Sequence, residues 1–151
     1  MQIIVDTHVH IYPWFLSTRL FPAVAARMDR LSEGREHVNV LCLAERSGCR
    51  WFREMKVAGA ARHDGYVIEP VAGDGAALAI RGDNGSCLYA VAGRQVATRE
   101  RLEILGLICD TDIADGLPAR EVVELVSSGG GLPVLSWAPG KWLLDRRAVV
   151  K

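Results

Sequence analysis

The chain opens on "QIIV", a continuous β-branched apolar run that reads as a short strand buried on both faces. After "IYPW" the spacing changes. Leu20, Phe21, Val24, Ala25, Met28 and Leu31 recur at helical intervals, and Gly34 suits the end of that helix. "VNVLCLAE" repeats the buried-strand pattern, and "CRWFREMKVAGAARH" returns to helical spacing through Trp51, Phe52, Met55 and Ala58 or Gly59. The opening half therefore predicts two strand–helix units.

The middle breaks that rhythm. "YVIEPVA", "ALAIRG" and "CLYAVAGRQVA" are strand-like runs separated by "GDGA" and "GDNGS", and Asn84-Gly85 is a strong hairpin signal. They predict an antiparallel hairpin insert, followed by one more strand at "LEILGLI" and the polar, turn-rich "CDTDIADG". "LPAREVVELVSSGGG" then predicts a helix, with Pro118 at its start, Val122, Val123 and Val126 on one face and three glycines to stop it. "LPVLSWAPGKW" reads as a last buried strand running into a loop. Alternating strands and helices imply an α/β architecture, either a barrel or an open sheet.

Composition narrows the function classes. Half of the 151 residues are apolar, and 18 basic residues balance 18 acidic ones, so no global field favours nucleic acid or an anionic membrane. No window approaches the roughly 18 consecutive apolar residues a membrane span needs. Asp6 and His8 interrupt the apolar opening too early for a signal peptide. The four cysteines (Cys42, Cys49, Cys87, Cys109) show no CxxC spacing, and a reduced, soluble, cytoplasmic protein is the expectation.

Candidate chemistry is concentrated in "VDTHVHIYP". In an extended strand, residues i and i+2 share a face, so Asp6, His8 and His10 are expected to project together at the carboxyl end of the first strand. Parallel α/β folds place ligands there, and two neutral imidazoles at that spacing can converge on a divalent cation such as zinc, manganese or iron. Spacing alone equally allows histidines that are solvated or satisfied inside the core. His8 and His10 need a further ligand, for which Glu45, at the end of the neighbouring strand, is the candidate and Asp6 an assistant. His37 and His63 are expected away from the site. Glu69, Glu103, Asp110 and Asp112 are carboxylates without an assigned position.

"DTHVH" on the first strand of a βα series resembles the opening of the polymerase and histidinol phosphatase (PHP) domain family, and more distantly that of the amidohydrolase barrels. The resemblance implies a distorted (β/α)7 barrel and a metal-dependent phosphoesterase. It extends along most of the chain, with each later motif altered. The family's second strand typically ends in Thr-Asp-His; "LAERSG" has Glu45 and Arg46 in those places. Its Gly-x-Glu segment, followed by a ligand histidine, is similar to "AGRQVATRERLEILGLI", with Gln95 for the glutamate and Arg101 near the histidine position. Its later His-Pro turn is similar to "GGGLPVLSWAPGKW", with Trp137 or a neighbour in place of the histidine, and the closing Asp-x-His is absent.

The expectation is thus a single PHP-like domain over 1–151, a distorted or incomplete (β/α)7-like barrel. A full barrel normally takes more than about 200 residues. Either helices are trimmed, or the barrel is open and closed by a partner subunit in a homo-oligomer, or the last strands are lacking. One reading is a domain whose metal sites are replaced by Arg46, Gln95, Arg101 and Trp137 and which binds a partner or an anionic small molecule, such as one containing phosphate, with Arg46 and Lys141 as the anion's candidate site. The alternative is a mononuclear metal-dependent hydrolase in which His8, His10, Glu45 and Asp6 hold the metal, Glu45 and Arg46 form the reacting centre, and Arg46 or Lys141 orients phosphate. A third is an unrelated α/β ligand-binding domain.

Overall fold

A computed structural model describes residues 1–12 and 17–136. In chain order the elements are β1 (Gln2–Val9), α1 (Ser17–Leu31), β2 (His37–Leu43), α2 (Trp51–Ala58), β3 (Ala61–His63), β4 (Tyr66–Pro70), β5 (Ala77–Gly82), β6 (Cys87–Val91), β7 (Gly93–Ala97), β8 (Glu103–Leu107), α3 (Ala119–Ser128) and β9 (Leu132–Leu135). The fold is mixed α/β. A six-stranded sheet runs β1-β2-β6-β5-β4-β3, and a three-stranded antiparallel sheet runs β7-β8-β9. Among the described residues neither sheet closes on itself.

β1, β2 and β6 are parallel, and β6, β5, β4 and β3 are antiparallel. The hairpin expected as an insert is therefore part of the main sheet: its second strand, β6, lies directly beside β2. The β1–α1–β2 connection is a parallel crossover, whereas β3 runs antiparallel to β2, and it is the contacts between α1 and α2 that put both helices on one face of the sheet. The ring of Phe21 in α1 accordingly lies 5.2 Å from that of Tyr66 and 6.4 Å from that of Trp51 in α2. Phe21, Ala25 and Met28 meet Leu41, Leu43, Leu78, Ile80 and Leu88 in the main core, each large side chain contributing about 1.5–3 kcal/mol by leaving water.

That one-sided covering changes the reading of β1. Ile4 is 8% exposed, whereas Ile3 and Val5 are 61% and 46% exposed, so β1 is a sheet-edge strand buried on one face and not on both. A second departure is decisive for the histidines. Asp6 pairs with Leu41 and Val9 with Leu43, three steps on β1 against two on β2, and this bulge reverses the side-chain alternation. Ile4 and Val9, an odd number of residues apart, consequently pack on the same core.

The two sheets meet where β2 runs out. Glu45 donates its backbone N–H to Gly93 O (3.1 Å) and accepts that of Gln95 (2.9 Å), so the continuation of β2 pairs with β7. A Cβ on Gly93 would stand 2.0 Å from the Leu43 carbonyl oxygen, and only glycine permits this approach. One face of the small sheet buries Val96 and Ile104 against Val122 and Val126 of α3. β9 is the last described strand, and it is antiparallel to β8 and only partly covered.

Candidate functional site

The bulge in β1 separates the residues that the strand pattern groups together. Asp6 keeps the alternation of Ile4 and lines a cleft against Val24 and Met28 of α1. Its Oδ1 accepts the His8 backbone N–H at 3.2 Å, fastening the bulge from within. His8 and His10 alternate with the core-facing positions Val9 and Ile11 and turn to the other face, toward the small sheet. The expected shared face of Asp6 with the two histidines is thereby replaced by His8 and His10 alone, their ring centroids 5.0 Å apart.

Alternation along β7 supplies their surroundings. Arg94 and Val96 point one way and Gln95 the other, where its Oε1 lies 2.9 Å from His8 Nε2. With the amide oxygen toward the ring, Nε2 carries the proton and donates it. Glu103, cross-strand from Ala97, shares the Gln95 face, and its charge acts on His10. Of the four carboxylates that the sequence left unplaced, Glu103 is the one that reaches the pair. No local signal marks it; only the β7–β8 register does.

His10 stacks on Tyr12, with centroids 5.7 Å apart, and its Nδ1 is buried without a partner among the described residues. Burial pushes its pKa below the ordinary 6.5, helped by the like charges of His8 and Arg46 and opposed by the Ala44 backbone and Glu103. The ring is therefore neutral at pH 7. Arg46 is exposed beside it, and among the described residues its guanidinium has no carboxylate partner.

Glu45 is placed differently from a third ligand. It is 5% exposed; its Oε1 accepts the Phe52 backbone N–H (2.8 Å) at the start of α2, and its Oε2 lies 3.7 Å from Arg94 Nη1. Burial raises its pKa above 4.5, outweighing the Phe52 N–H and Arg94, which both lower it. Arg94 also donates to the Cys49 carbonyl (3.1 Å) and to Asp112 (2.9 Å), while Asp110 pairs with Arg53 (2.9 Å). Asp110 and Asp112 thus belong to an ion-pair network at the head of α2. Glu69 pairs with Arg81 at 3.0 Å on the meander. Arg101 sits in the β7–β8 turn at φ 63°. Lys141 and Trp137 lie outside the described residues.

A catalytic zinc takes three protein ligands and an open position. Among the described residues no three His, Cys, Asp or Glu side chains converge closely enough to hold a metal ion, and His8 and His10 by themselves are one ligand short. What remains at the mouth of β1 and β2 is two imidazoles, the Gln95 amide already engaged with His8, and the Arg46 guanidinium, which among the described residues has no carboxylate partner and is the group suited to donate hydrogen bonds to an anion. No helix among the described residues is long and apolar enough to cross a membrane. No family model matches the chain, nor does a curated protein or a solved structure.

Proposed function

We propose that the chain is a PHP-like domain whose histidine pair has lost its metal-ligating partners, and that it binds an anionic, phosphate-containing small molecule beside Arg46. The observation that carries this reading is the 2.9 Å contact between His8 and Gln95, 87 residues apart in the chain. The resemblance to PHP domains expects a glutamate at that position, and an amide beside His8 is what the replaced-motif reading requires. The commitment of Glu45 to α2 and Arg94 supports it further, since that carboxylate is occupied elsewhere.

Arg46 supplies a permanent positive charge with several donors, and His8 lies on the same side with an exposed ring. A phosphate monoester dianion matches the Arg46 guanidinium by charge and by its acceptor oxygens. The alternative, a mononuclear metal-dependent phosphoesterase, draws support from the 5.0 Å spacing of the imidazoles and from the neutrality of His10, both of which ligation needs.

Calorimetric titration with inorganic phosphate and with a simple phosphate monoester tests the proposal. Binding is expected, and Arg46→Ala is expected to weaken it at least tenfold, the loss of a charge-assisted hydrogen bond being about 1.5–3 kcal/mol. Equal affinity in Arg46→Ala, or no binding of either probe, overturns the assignment of the anion to this site.

A further inference from the structure

His37 opens β2 at the end remote from the histidine pair and lies against the last turn of α1. Its Nδ1 is 2.8 Å from the Arg35 carbonyl oxygen, and its Nε2 is 2.9 Å from Asp29 Oδ1. Both neighbours only accept. A neutral imidazole has one N–H, so a ring with both nitrogens against acceptors is satisfied only when doubly protonated. The side chain is just 18% exposed, which limits the help water can give to an unpaired nitrogen.

Asp29 has a further reason to want that charge. It stands near the carboxyl end of α1, where a carboxylate meets the negative end of the helix dipole. The same oxygen accepts Nδ2 of Asn39 at 3.2 Å, and Asn39 is only 6% exposed, inside β2. His37, Asp29 and Asn39 therefore join the end of the helix to the sheet. They also form one wall of a cleft of about 470 Å³, whose other wall is the Asn84–Cys87 turn.

We propose that His37 is a pH-dependent clamp: its imidazolium ties the last turn of α1 to the start of β2, and loss of one ring proton to water leaves one of the two acceptors without its N–H, removes the charge that holds Asp29 and loosens the cleft wall. The titratable group facing the ring from α1 is Asp29, and from β6, across the cleft, it is the Cys87 thiol. Gln2, its partner on β1, is uncharged, and in the connection before β2 Arg35 and Glu33 pair with each other at 2.9 Å. The Arg35 backbone, and after it Asp29, hold the ring's pKa above the ordinary 6.5. The sign follows: the tie is complete below 6.5 and is lost as pH rises through the folded-state pKa.

The test is an NMR titration of the His37 ring in the full chain, with amide hydrogen exchange of residues 27–31 measured across the same pH range and corrected for its intrinsic pH dependence. His37 is expected to titrate above 6.5, and Asp29→Asn to lower that midpoint. Corrected exchange in the last turn of α1 is expected to rise several-fold at the His37 midpoint, to follow the midpoint down in Asp29→Asn, and to stay flat in His37→Gln. Titration at or below 6.5 overturns the clamp, as does a last turn without a step at that midpoint. A step that stays put in Asp29→Asn, which keeps the ring, overturns it independently of whether His37→Gln folds.

Discussion

Gln95 and Glu45 show how much turns on single polar atoms. Both side chains are buried, yet one presents an amide to His8 and the other fastens a helix start. Removing the Glu45 carboxylate strips the Phe52 N–H of its acceptor and leaves Arg94 buried with Asp112 as its remaining acid. Glu45→Ala is therefore expected to cost about 3 kcal/mol or more in urea unfolding, a loss a surface carboxylate would not produce. The two shifted histidines pull stability in opposite directions. His10, with its pKa lowered, binds fewer protons folded than unfolded, so its contribution falls as pH drops through 6.5. His37, with its pKa raised, contributes fully below 6.5 and loses that contribution above it. Thermal melts between about pH 5 and pH 8 should therefore lose acid-side curvature in His10→Gln and alkaline-side curvature in His37→Gln.

At the scale of elements, the joint between the sheets is the most sequence-sensitive feature. Gly93→Ala drives a methyl group into the Leu43 carbonyl, backbone against backbone, and neither strand can yield without breaking the Glu45–Gly93 and Glu45–Gln95 bonds. A loss of about 3 kcal/mol or more is expected, measured as a fall in the urea midpoint; Gly85→Ala, at φ 84° in an open turn, should cost less. The same joint marks where sequence reading stops. α1 was legible because Phe21, Ala25 and Met28 repeat at helical spacing, and the Asn84-Gly85 turn because its geometry demands such residues. "CLYAVAGRQVA" reads as one strand, yet it changes sheets at Ala92, since period-2 alternation carries no record of which sheet a strand joins. The bulge in β1 was equally hidden: "DTHV" has no glycine to announce it, and it moved Asp6 away from the histidines.

At the scale of the molecule, the α/β class and the order of the longer elements followed from apolar periodicity, while the short β3 was hidden in the tail of a helical reading and sheet membership and closure depend on pairings far apart in sequence. The placing of Gln95 beside His8 is one such pairing, and the account of function depends on it. Its central claim is that the pair at the mouth of β1 no longer assembles a metal centre. The direct measurement is elemental analysis of the protein, purified without a histidine tag or chelator, beside the His8→Ala, His10→Ala double variant. The account predicts far less than one zinc, manganese or iron per chain, the same in both proteins. About one metal per chain, lost in the double variant, would contradict it and make the mononuclear phosphoesterase the better reading.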